Sequence, residues 1–116
     1  MLVDSITEAV GGPAGCVLVS GSHGGLSAGR FALQVRPLLV VFNDAGIGKD
    51  EAGVAALELL QRAGVAACAV AHGSARIGEA RSTLNDGTVS RANAAAEVLG
   101  ARPGLALRDW LLPPKR

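Results

Sequence analysis

Apolar residues in this chain gather into three short runs, Cys16 to Val19, Leu38 to Phe42 and Val65 to Val70. The second and third runs are apolar at nearly every position. That pattern predicts strands covered on both faces of a sheet. Each run passes directly into a polar, glycine-containing turn.

Between the runs the pattern changes to helical spacing. Residues Val3 to Val10 are read as a short helix with Asp4 or Ser5 as its cap and Glu8 in its first turns, ended by Gly11-Gly12-Pro13. Leu26 to Val35 is the first long helix, with Leu26, Phe31 and Val35 as core contacts. Arg36-Pro37 closes it, because the residue before a proline is pushed out of helical geometry. The strongest helical signal lies in Asp50 to Ala63, where Val54, Leu57 and Leu60 recur with Leu59 and Ala63. Asp50 and Glu51 stand at its start and Arg62 near its end, as the helix dipole favours, and Gly64 supplies a stop. Ile77 to Thr88 is read as a polar connection containing the turn signal Asn85-Asp86-Gly87. A last helix is expected over Ser90 to Leu99, with Gly100 as its stop. Leu105 to Leu112 fits a short helix or an edge strand, and Pro113-Pro114 ends it.

Uniformly apolar strands alternating with helices predict an α/β domain, a small three-layer Rossmann-like fold with a mostly parallel sheet of three or four strands. At 116 residues, the chain is expected to form one domain over 1–116. Right-handed crossovers would place the three strand-end turns on one edge of the sheet.

Composition removes some functions. Eleven basic and 10 acidic residues leave a net charge of +1, which favours neither a nucleic-acid patch nor a polybasic membrane segment. Aromatics number only two Phe and one Trp, too few for a stacking platform on single strands. No signal peptide opens the chain, and no run reaches transmembrane length. The expectation is a soluble cytoplasmic protein with no nucleic-acid and no membrane partner. The small core of a chain this size favours a homo-oligomer. Cys16 and Cys68 both fall inside apolar runs and are read as buried thiols, with no zinc spacing.

The chemistry-bearing residues sit in the three turns. The first offers Ser20, Gly21, Ser22, His23, Gly24 and Gly25 ahead of a helix, a layout suited to a phosphate or carboxylate. It matches neither the Walker pattern, nor a clean dinucleotide fingerprint, nor the nucleophile elbow. The second turn offers Asn43, Asp44 and Lys49. Asp44 can orient a histidine and Lys49 can neutralise an anion; an Asx-type turn and a solvated lysine are the structural alternative. The third offers His72, Ser74, Arg76 and Glu79. Arg76 is a fork for a carboxylate or phosphate, and an unshifted imidazole exchanges protons near neutral pH. The chain's two histidines, His23 and His72, both fall just past predicted strands.

These residues predict an enzyme acting on an anionic metabolite by acid–base catalysis at the carboxyl edge of the sheet. His23 and His72 are the proton-transfer groups and Asp44 the orienter. Ser20, Gly21, Ser22, Gly24, Gly25, Asn43, Lys49, Ser74 and Arg76 bind the ligand. The cofactor is left unknown by the sequence. A non-catalytic nucleotide- or metabolite-binding module, or an accessory subunit, uses the same loops. A structural oligomer is a third reading. His23, His72 and Asp44 also form a candidate ligand set for one metal ion.

Overall fold

A computed structural model describes residues 1–112. The strands are β1 (Leu2–Val3), β2 (Val17–His23), β3 (Leu39–Asn43), β4 (Ala66–Val70) and β5 (Val89–Ala92). The helices are α1 (Leu26–Val35), α2 (Ala55–Arg62), α3 (Ala80–Asp86), α4 (Ala94–Val98) and α5 (Leu107–Leu111), with 3₁₀ segments at Ile6–Ala9 and Lys49–Val54. The strands form one sheet in the order β1-β2-β3-β4-β5. The first four are parallel, and β5 runs antiparallel to β4. The domain is α/β and broadly Rossmann-like, with five strands where three or four were expected.

Alternation along each strand divides the interior into two layers. Leu18, Val40, Phe42, Ala67 and Ala69 face one side, where they pack with Ile6 and Ala9, with Ala28, Ala32 and Val35 of α1, and with Leu57 and Leu60 of α2. Val19, Leu39, Val41, Cys68 and Val70 face the other, against Leu84 of α3, Ala96 of α4 and Leu107 of α5. Sequential strand order with crossovers of one hand puts α1 and α2 on the same face. The second face is therefore left for the last third of the chain.

Several elements differ from the sequence reading for local reasons. The segment expected as a helix from Val3 to Val10 begins as the edge strand β1 and then makes a single 3₁₀ turn. There the Glu8 carboxylate accepts the Ser5 N–H at 2.8 Å. The Asp50–Ala63 helix starts late, at Ala55, because Asp50 and Glu51 adopt left-handed backbone with φ of 55° and 58°. The polar connection contains α3, whose first free N–H, from Ala80, donates to the Asp4 carboxylate at 2.9 Å. That cap lies far away in the chain, so local sequence does not announce it. Ser90 to Ala92 belongs to β5, and only from Ala94 does the expected last helix form. Leu105 to Leu112 does both things proposed for it: Ala106 bridges Thr88 as an edge pair, and α5 follows. The Pro113-Pro114 stop lies outside the described residues.

The candidate functional site

The β3 and β4 ends meet at Asp44. This residue is buried, 4 % exposed, immediately past a strand that is apolar until Asn43. Its Oδ1 accepts the N–H of Gly46 at 2.8 Å and the N–H of His72 at 3.0 Å. Its Oδ2 accepts the Ser90 hydroxyl at 2.6 Å. Burial alone would raise the Asp44 pKa. The Ser90 hydroxyl, the Gly46 and His72 amides and the nearby imidazole outweigh burial and hold the carboxyl below the ordinary aspartate value. The carboxylate is thus fixed in place and kept charged.

The His72 ring lies beside it, with Nδ1 3.6 Å from Asp44 Oδ1. That is ion-pair range, longer than a hydrogen bond. Nδ1 is the ring nitrogen that faces the carboxylate. The ring is two-thirds exposed, and it stacks close to Gly46, where an added Cβ would lie 3.5 Å from Nδ1.

His72 stands at one end of a groove of about 670 Å³ between the 71–77 loop and α3. Arg76 lines the same groove, with its guanidinium 82 % exposed and 3.9 Å from the Glu79 carboxylate. Asn43 braces the floor. It is fully buried, donates through Nδ2 to the Ala75 carbonyl at 3.2 Å, and accepts the Ala45 N–H at 2.8 Å. One side chain therefore sets the spacing of two loops. Ser74 is occupied by backbone: its hydroxyl donates to the Ala71 carbonyl at 2.6 Å and accepts the Thr88 N–H at 3.0 Å.

The first turn takes a different position. Strand β2 continues past Val19 with a register shift and ends only at His23, so Ser20 to His23 are strand residues. Ser20 is buried and donates to the Val41 carbonyl at 2.7 Å. The Ser22 hydroxyl accepts the Ile6 N–H at 2.8 Å. Gly21 lies against the backbone of Gly78 and Asp4, and Gly24 against the Gly53 carbonyl, with no room for a Cβ at either. These glycines permit close backbone packing. His23 is exposed and folds back to accept the Gly25 N–H through Nδ1 at 3.2 Å. Its register partner is Asn43, so it shares the rim, but the groove is lined by His72 and not by His23. Lys49 is exposed in the 3₁₀ segment, also outside the groove lining. The proposed metal set does not converge: among the described residues no three His, Cys, Asp or Glu side chains gather to hold an ion.

Two groove residues, Ser82 and Asp86, sit in a stretch dominated by a turn signal. Ser90, which lies outside the groove lining and holds Asp44, sits in a segment of helical composition. Asp86 of the Asn85-Asp86-Gly87 triplet ends α3, and Gly87 follows as the stop.

No protein-family profile, no curated protein and no solved structure matches this chain. Its geometry carries the functional argument. Among the described residues no helix is long and apolar enough to cross a membrane.

Proposed function

We propose that the protein is a small enzyme that moves a proton on an anionic metabolite, with His72 as acid–base group, Asp44 as its orienter and Arg76 as the anion-binding residue. The observation that carries this reading is the chain of contacts Ser90–Asp44–His72 at the head of the groove. A charged carboxylate is held by three donors and set 3.6 Å from an imidazole that lines a cleft. An Asp–His pair of this kind fixes the ring and stabilises the imidazolium formed when Nε2 takes a proton. Asn43 acts through the loops it spaces. His23 lies outside the groove and is not needed for the proposed step.

The alternative is a metabolite-binding module with the same residues. It is favoured by the exposure of His72, since a site open to water gains less from electrostatic stabilisation. Self-association is a separate part of the proposal: Val98 is 86 % exposed on α4, and light scattering at several concentrations reads the mass directly.

The test is a titration of the ring resonances of His72 with inorganic phosphate and with acetate, in the wild type and in Arg76→Ala. Shifts confined to His72 and abolished by the substitution support the anion site. Unmoved His72 signals in the wild type overturn it. Turnover of carboxylate or phosphate ester libraries, lost in His72→Gln at unchanged melting temperature, separates the enzyme from the binding module.

A further inference from the structure

The groove that holds His72 and Arg76 also holds the opposite sign of charge. Helix α3 places Asp86 on the groove, one helical turn beyond Ser82. The Ser82 hydroxyl accepts the Arg76 N–H at 2.9 Å and donates to Asp86 Oδ2 at 3.3 Å. A single hydroxyl therefore spaces the cationic loop from the anionic helix. Among the described residues Asp86 forms no salt bridge, and its Oδ1 takes no hydrogen bond.

The position of Asp86 costs stability. Helix α3 has Arg81 in its first turn and Asp86 in its last, the reverse of what the helix dipole favours, and no basic side chain in the last turn relieves it. The long bond from Ser82 is the one side-chain contact to Asp86 among the described residues, and departures of this sort concentrate at functional positions. The same lining includes the small residues Ala45, Gly73 and Ala75 and the exposed Ile77, apolar surface suited to a short aliphatic chain.

Charge balance narrows the ligand. Glu79 and Asp86 both line the groove, so a polyphosphate would meet two carboxylates for one guanidinium. A plain monoanion would satisfy Arg76 and leave Asp86 unused. We infer that the groove takes a small dipolar amino carboxylate, its carboxylate on Arg76, its aliphatic stem over Ile77 and its ammonium on Asp86. This deepens the anion-binding reading above and rests on it.

Calorimetry with γ-aminobutyrate, butyrate and butylamine separates the two ends, because the three share a stem and differ only in charge. The zwitterion is expected to bind about tenfold tighter than either singly charged probe, the contribution of one charge-assisted hydrogen bond. Asp86→Asn removes the advantage of γ-aminobutyrate over butyrate. Glu79→Gln strengthens butyrate binding by freeing Arg76. Circular dichroism checks that both variants fold. Equal affinity for γ-aminobutyrate and butyrate, or an Asp86→Asn variant with undiminished zwitterion binding, overturns the amino carboxylate assignment while the anion site stands. Binding of butylamine alone overturns both. No binding of any of the three probes overturns the amino carboxylate assignment, and the phosphate and acetate titration of His72 then decides the anion site by itself.

Discussion

Ser90 donates its hydroxyl to the Oδ2 of Asp44 at 2.6 Å, joining the start of the only antiparallel strand of the sheet to the end of a parallel one. The bond is short and charge-assisted. It is the only donor to Oδ2 from a side chain among the described residues. Ser90→Ala should therefore lower stability by about 2 kcal/mol, the usual range for a hydrogen bond to a charged group. Urea denaturation measures this. A shift of the midpoint with no change in slope is expected, since the fold and its buried surface stay the same. In the proposed enzyme the same variant keeps its affinity for anions and loses turnover.

The acid limb of stability follows from Asp44. Its folded-state pKa lies below the unfolded value, because the Ser90, Gly46 and His72 donors together with the imidazole outweigh burial. Its contribution is complete above the ordinary aspartate value and is lost as pH falls through the depressed folded value. Asp44→Asn should lose stability less steeply on acidification than the wild type. Denaturation midpoints collected from about pH 6 down to about pH 2 test the slope. Parallel curves for the two proteins would contradict it.

Asn93 is the residue whose loss should cost most. Its Oδ1 accepts the N–H of Ala67 at 3.0 Å and of Ala96 at 2.9 Å, and its Nδ2 donates to the carbonyls of Leu57 at 3.1 Å and Val65 at 2.9 Å. One amide caps α4 and ties it to β4 and α2. Asn93→Ala removes four hydrogen bonds to backbone groups and should cost about 3 to 4 kcal/mol. Thermal unfolding followed by far-UV circular dichroism checks this. Asn93→Asp, which keeps the acceptors and loses both donors, is expected to fall between.

The two thiols should separate by reactivity. Cys68 is fully buried in β4, and burial pushes its pKa up to about 12, so almost no thiolate exists near neutrality. Cys16 is half-buried. Iodoacetamide at neutral pH should modify Cys16 first, and Cys68 only after denaturant is added, with mass spectrometry reporting which peptide carries the label. Labelling of native Cys68 at the rate of Cys16 would show that β4 opens locally.

Helix α1 was legible to the residue in the sequence, from Leu26 to Val35, and the three apolar runs all became strands. These elements are specified by local periodicity and by glycine or proline at their ends. Helix α3 and strand β5 were not legible. Their stabilising partners are remote: the Asp4 cap for α3, and the β4 edge and the Asp44 carboxylate for β5. The turn at Asn85-Asp86-Gly87 was a sound local signal that marked a helix end instead of a loop centre. Around the candidate groove, Asp44, His72 and Arg76 stood out in the sequence because polar residues there follow apolar strands. The serines and glycines of the first turn carried the same kind of signal for another reason. Ser20 satisfies a backbone carbonyl inside the sheet, and Gly21 and Gly24 allow neighbouring backbones to touch. Tight packing and ligand binding ask for the same small residues, so composition alone does not separate them.

The direction of β5 also sets a timetable. A chain leaving the ribosome can pair its four parallel strands and cover one side of them before Ser90 emerges. Until that hairpin-like return is made, Asp44 has no hydroxyl partner and the opposite side of the sheet lies bare. In the proposed enzyme, the carboxylate beside His72 is therefore fully held only once β5 has paired with β4.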